Sequence, residues 1–289
     1  MMQFAVRTRR AALTLATSVA WLVYGAPTAR AGNIAYLDIF KNIDFLQTGD
    51  GQTLTGNGAF FSADLNSDTV NDYSSVSMTY PGPGSPVNLP EASSPSMDYH
   101  VQTTSFASQG DMDAAFPTGT YTFDTDTADT ATLRYTGDDY SITQPYLMGT
   151  DYSSLQGMDP GDPFSFDFSP FETGSTATSS LIFFTIYDET LGETVYNEGF
   201  LPSSTASVTV PGGTLAFGDT FDYEIDFSNR DTGTGSGGAL APLLGFDTRT
   251  DGTFTSEEQP ATVPEPGTVA LGSMLLLVPA ALRRRKIVR

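Results

Sequence analysis

Phe221-Asp222-Tyr223-Glu224-Ile225-Asp226-Phe227 alternates apolar and acidic side chains without a fault. Successive side chains of an extended strand point to opposite faces, so this stretch turns its aromatic and aliphatic groups to a core and its acids to water. Phe164-Ser165-Phe166-Asp167-Phe168 repeats the pattern. Leu181 to Tyr187 is almost wholly apolar, which predicts a central strand covered on both faces. Further strands are expected at Ile34–Phe40, Ala59–Ala63, Ser75–Tyr80, Tyr99–Phe106, Thr120–Asp124, Ala131–Tyr135, Thr194–Glu198, Ala206–Val210 and Phe246–Phe254, punctuated by Gly, Pro, Asn and Asp. No stretch between residues 32 and 262 carries a helical period, so the expected class is all-β, an antiparallel β-sandwich.

The two ends of the 289-residue chain differ sharply from this middle. Arg7, Arg9 and Arg10 precede an apolar run from Ala11 to about Tyr24, and Ala29-Arg30-Ala31 places small residues at −3 and −1 of a cleavage site. Residues 1–31 are therefore expected to be a signal peptide with an apolar helix. The pair Arg9-Arg10 is similar to a twin-arginine signal, but Ala12 and Thr14 stand where that signal carries an aromatic and a lysine, and general secretion is the expected route. At the other end Val263-Pro264-Glu265-Pro266 leads into an apolar run, Gly267 to Leu282, and then Arg283-Arg284-Arg285-Lys286. The prolines hold Glu265 in extended chain, open to a processing enzyme. The sixteen residues from 267 to 282, at 1.5 Å each, give a helix about 24 Å long, barely a bilayer core. The basic cluster stays on the cytoplasmic side.

That order of features over residues 263–289 resembles the PEP-CTERM sorting domain. The resemblance implies an exported protein of an exopolysaccharide-making bacterium, tethered in the inner membrane and then cut near Pro264 to Pro266 by an exosortase-type enzyme. Val263, Pro264, Glu265 and Pro266 would carry recognition. The expected destination is the cell surface or the extracellular matrix.

Between the ends, residues 32–264 hold four basic residues (Lys41, Arg134, Arg230, Arg249) against 33 acids, a net charge of −29. Such a charge repels phosphate backbones, which excludes nucleic acid as a partner. The chain has no cysteine, which excludes disulfides, thiolate catalysis and Cys-based zinc sites.

A weak internal echo divides the middle. Phe116-Pro117-Thr118-Gly119-Thr120-Tyr121 and Val210-Pro211-Gly212-Gly213 leading to Phe221-Asp222-Tyr223 both run from strand end through a Pro-Gly turn into an aromatic strand. The pattern resembles the penultimate strand of fibronectin type III and immunoglobulin-like domains, with Tyr121 and Tyr223 at the tyrosine position. Two sandwich domains are expected, 32–138 and 139–262, with a single larger jelly roll as the other arrangement. Pro81–Pro86 and Gly233–Gly238 are expected to be loops.

Signals for chemistry are sparse. His100 is the sole histidine and lies in an expected strand. No nucleophile elbow or phosphate loop occurs, so no enzyme is expected. A glycoside hydrolase would need two carboxylates in one cleft. No cofactor is certain from the sequence, and calcium is the best-founded candidate beside the alternative of acidic solvated turns: Asp64, Asn66 and Asp68 stand at positions one, three and five of a loop like an EF-hand, although Thr69 and Ser75 replace its glycine and its bidentate acid. Asp124, Asp126 and Asp129 form a second candidate. Extracellular polysaccharide is a further candidate partner, with Tyr140, Tyr146 or Tyr152 as stacking surfaces because the sole tryptophan, Trp21, lies in the signal segment.

Overall fold

The computed structural model describes residues 34–259 apart from 71, 93–95, 175 and 239. The cleavage residues Ala29 and Ala31, the motif Val263 to Pro266, and the cluster Arg283 to Lys286 lie outside the described residues.

In chain order the elements are β1 (Ile34–Gln47), β2 (Leu54–Ser67), β3 (Val76–Thr79), β4 (Val87–Leu89), β5 (Asp98–Gln102), α1 (Gln109–Ala115), β6 (Gly119–Thr125), β7 (Thr130–Tyr135), α2 (Asp151–Leu155), β8 (Phe164–Asp167), β9 (Ser179–Asp188), β10 (Glu193–Asn197), β11 (Leu201–Pro202), β12 (Ser207–Val210), β13 (Thr220–Thr232), β14 (Thr234–Ser236) and β15 (Leu243–Thr255). Strands dominate, as the alternation requires. One eight-stranded sheet runs in the order β10-β9-β13-β15-β1-β2-β5, with β11 also on β9. All its pairings are antiparallel except β1 with β15, which lie parallel from Asp38↔Leu243 to Leu46↔Asp251. A five-stranded sheet, β14-β7-β6-β3-β4, and the pair β8–β12 complete the structure.

Two cores lie side by side on one face of the long sheet. In the first, Leu37 and Ile39 of β1, Phe61 and Leu65 of β2 and Phe246 of β15 meet Tyr121, Phe123, Leu133 and Tyr135 of the five-stranded sheet. In the second, Phe221, Tyr223, Ile225 and Phe227 of β13 and Phe184 of β9 lie under Phe166, Phe168, Val208 and Val210 of β8 and β12. The expected aromatic faces are therefore the buried ones. Residues up to Tyr140 line the first core and residues from Leu147 the second, with Leu244 and Phe246 joining the first core from the far end of the chain. The sheet itself does not divide: β1 and β15 carry it across both halves. Gln47 stitches the joint, donating to the carbonyl of Leu147 at 3.1 Å and accepting from the Leu147 amide and the Tyr223 hydroxyl, both at 2.8 Å. Gly252, opposite Tyr223, makes room for that ring, since a Cβ there would sit 2.3 Å from it.

Three expectations need correction. Leu181–Tyr187 is buried on one face and half-buried on the other, alternating along β9. The Gly233–Gly238 stretch contains β14, which pairs with β7 and extends the smaller sheet. Two helices occur within the middle. Ser108 caps α1 by accepting from the Asp111 amide at 3.2 Å and donating to the Asp111 carboxylate at 2.8 Å. That reciprocal Ser-x-x-Asp cap was readable in the sequence. The helices are too short to show a period.

Tyr121 makes the bond expected of a tyrosine corner, its hydroxyl donating to the carbonyl of Pro117 at 2.9 Å. Tyr223 does not; its hydroxyl goes to Gln47. Among the described residues no helix is long and apolar enough to cross a membrane.

Candidate functional site: the outer face of the long sheet

The face of the long sheet turned away from both cores concentrates the ionisable groups. Strand alternation puts Asp38 and Asp44 of β1 there, with Asp64 of β2, His100 of β5, Arg249 of β15 and Arg230 of β13 beside them in register. Their arrangement is ordered by aromatic rings. Arg249 lies 5.4 Å from the Phe60 ring centre, and Arg230 lies within 5.4 to 5.6 Å of Phe40, Phe183 and Phe200. Phe40 can lie flat because Gly245 is opposite it, where a Cβ would come within 2.1 Å of the ring.

Arg249 is the hub of one cluster. It donates to Asp44 at 2.9 Å and pairs with Glu224 at 3.4 Å and Asp251 at 3.8 Å. Burial pushes Asp44 up to about 6, against the pull of Arg249. Burial likewise raises Asp247 to about 6, opposed by Ser228 and the two arginines, and lifts Asp226 far above the carboxylate range. The surrounding acids, led by Glu224 and Asp44, hold Arg249 firmly charged despite its burial.

The second cluster has no arginine at its centre. Asp38, 1% exposed, is forced well up by burial and then by Asp64. Asp98 rises to about 6 for the same two reasons. His100 Nδ1 lies 2.5 Å from Asp64 Oδ1, and that bond raises the imidazole in turn. One oxygen of each of Asp38, Asp44, Asp98, Asp226 and Asp247 is buried without a hydrogen-bond partner. Burial and mutual repulsion make carboxyls in this condition hold protons more readily than free ones.

The calcium candidates are dispersed. Asp64 and Asn66 lie within β2, an extended strand that sets alternate side chains about 7 Å apart rather than round one point. Asp124 accepts from Thr130, Asp126 from the Ser74 amide, and Asp129 from Thr127. Among the described residues no three acidic or histidine side chains converge as a metal site would require. Of the proposed stacking tyrosines, Tyr140 packs edge-on against Phe246, 5.5 Å between ring centres, and Tyr152 packs against the second core. Tyr146 is half-buried. These three do not form a planar exposed row. A cavity of about 350 Å³ beside Tyr73 and Tyr99 contains one carboxylate, Glu91, already bonded to the Ser96 amide.

Arg230 and Arg249 were not singled out from the sequence. Their scarcity was the available signal, since only four cations serve 33 acids in residues 32–264.

No protein-family model and no curated protein matches the chain. Solved structures with similar segments include the trypsin-activated alpha-2-macroglobulin of Escherichia coli, 11% identical with a TM-score of 0.25, covering 78% of this chain and 16% of that one. A tetra-tandem repeat from the extending region of a large adhesion protein is 13% identical at a TM-score of 0.20, covering 75% and 49%. The yeast delta-COP-I mu-homology domain is 11% identical at 0.23, covering 80% and 98%.

Proposed function

We propose that this chain is an exported protein, sorted by an exosortase-type enzyme and released to the cell surface or extracellular matrix, where it serves a structural or adhesive role alongside exopolysaccharide. The observation that carries the reading is the ordered tail Pro264-Glu265-Pro266, apolar run, Arg283 to Lys286, opposite an amino-terminal signal. Secretion machinery, the inner membrane and the sorting enzyme are then its transient partners. The mature middle suits the role: strongly acidic, without cysteine and built as a β-sandwich, with one sheet spanning both halves. Each half is read as a fibronectin- or immunoglobulin-like lobe, a reading supported in the first half by the Tyr121 corner.

Terminal sequencing of the protein recovered from the cell exterior tests this. The expected product begins after Ala31 and ends near Pro264 to Pro266. Recovery of a chain that still carries Arg289, held inside the cell, would overturn it.

A further inference from the structure

Lys41 is the sole lysine in residues 32–264; the other three cations there are arginines. Arginine is the usual choice for a buried ion pair, its planar fork being less strongly hydrated, whereas a lysine amine is a nucleophile when it loses its proton. Lys41 is also the most deeply enclosed cation of the described residues, 1% exposed, while the side chain of Arg249 keeps 17%. It projects from β1 into the first core, between Phe61 of β2 and Phe246 of β15 in register.

Three acceptors meet its ammonium. Asp113 Oδ1 is at 2.5 Å, the Tyr135 hydroxyl at 2.9 Å and Asp138 Oδ1 at 3.1 Å. The Asp113 contact is closer than the 2.7–2.9 Å common for an ammonium on a carboxylate. Each partner is held from behind. Asp113 sits on the capped helix α1 between Met112, wholly buried, and Phe116, whose ring stacks on Phe61 at 3.8 Å. Tyr135 donates its own hydroxyl proton to Asp138 and packs edge-on to Tyr121. The amine is thus buried among aromatic rings, while Asp113 and Asp138 reach it from the rim with 32% and 26% of their side chains exposed.

We propose that Lys41 and Asp113 condense to an intramolecular amide joining β1 to α1, with Asp138 as the general base. A proton leaves the Lys41 ammonium for Asp138, and the freed lone pair attacks Cγ of Asp113. The C–N bond forms as one C–O bond breaks, and the departing oxygen leaves as water, taking the proton that Asp138 carried and the second proton of the nitrogen. An ammonium and a carboxylate become a neutral amide and one water, with Asp138 again ionised and no oxidant or energy source consumed. Well-oriented groups held at contact react as if at about 10⁵–10⁸ M, which favours the attack kinetically. The product also removes the desolvated charge of the Lys41 ammonium, the buried member of the pair. The chain has no disulfide to brace it outside the cell, and this bond closes a span of 72 residues instead.

Trypsin reads the bond directly, because residues 32–134 contain no basic residue but Lys41 and Arg134. The full chain is expressed in its export-competent host, recovered, unfolded in denaturant and digested. The expected result is no cut after Lys41 and a single looped peptide running through Lys41 to Arg134, lighter by one water than the sequence mass of that uncut peptide. In the Asp138→Asn chain a large share should instead release Asn42–Arg134 at its sequence mass, the general base being worth about a hundredfold or more in rate. Release of that peptide from the wild-type chain would overturn the proposal. So would a species at full mass that merely resists cleavage, and a branch onto the peptide beginning at Tyr135 would refute the choice of Asp113.

Discussion

On the inner face of the long sheet Lys41 is enclosed by aromatic rings and meets two carboxylates and a hydroxyl. On the outer face Arg249 meets three carboxylates, and further acids crowd round it without a cation of their own. Both sites belong to adjacent strands of one sheet. What separates them is the use made of desolvation. Inside, exact satisfaction of a single ammonium by three neighbours gives one rigid arrangement suited to bond formation. Outside, carboxyls outnumber cations, and the surplus must be relieved by protons. The outer face is therefore expected to respond to mild acid.

The largest effect tests the inner site. Substituting Lys41→Arg keeps the charge but removes the amine that can condense, and it opens the 72-residue span. Loop-closure entropy assigns about 4 kcal/mol to such a cross-link, to be read as a lower denaturant midpoint at an unchanged slope. A loss no greater than about 1 kcal/mol would mean that Lys41 acts as an ordinary ion-pair partner.

Next in size is the outer hub. Arg249→Met leaves Asp44 and Glu224 buried against no cation and should cost about 3 kcal/mol at neutral pH. The loss should shrink at pH 5, because Asp44, pushed up to about 6, is then largely protonated and needs no counter-charge. An equal loss at both pH values would show that the arginine stabilises by packing on Phe60 and not by charge.

The third measurement needs no mutation. Asp44, Asp98 and Asp247 are raised to about 6 in the folded chain, above the range of an unfolded aspartate. The folded state therefore binds more protons than the unfolded one between about pH 6 and the unfolded carboxylate range near 4, and stability falls as pH rises through that window. His100, also raised, acts in the same direction. Stability, and with it the melting temperature, should increase on acidification from pH 7 to 5, by on the order of 1 kcal/mol for each of the buried carboxyls Asp44 and Asp247 and by less for the half-exposed Asp98. A melting temperature that falls steadily over the same range would remove the proton-binding account of this face. The Lys41→Arg loss should be the same at both pH values, which sharpens the contrast between the faces.

Much of the strand content was legible from local pattern. Phe221 to Phe227 bury all four residues that their alternation assigns to a core, and Phe166 and Phe168 are likewise buried, with Phe164 half-buried at the strand end. Less of the site was legible. Asp64, Asn66 and Asp68 have the spacing of a cation loop, but β2 runs straight through Asn66, and the side chain of Asp64 is engaged by His100 from the neighbouring strand. Leu181 to Tyr187 reads as doubly covered because its outward residues Phe183 and Tyr187 are aromatic. Phe183 in fact supports Arg230 on the half-buried face of β9. Arg249 and Asp44 are 205 residues apart, and Lys41 and Asp138 are 97 apart, so neither pairing leaves a mark on its neighbours in sequence.

Taken alone, the amino-acid sequence determined what depends on near neighbours: the two-residue period that makes strands, the turns between them, the acidity of the middle and the order of features at each end. Only the tertiary structure decided that the first and last long strands run parallel in one sheet, and which carboxylate stands beside which cation. The physical reason is that side-chain direction follows from the backbone of a few adjacent residues, whereas partnership is chosen when distant segments pack and water leaves.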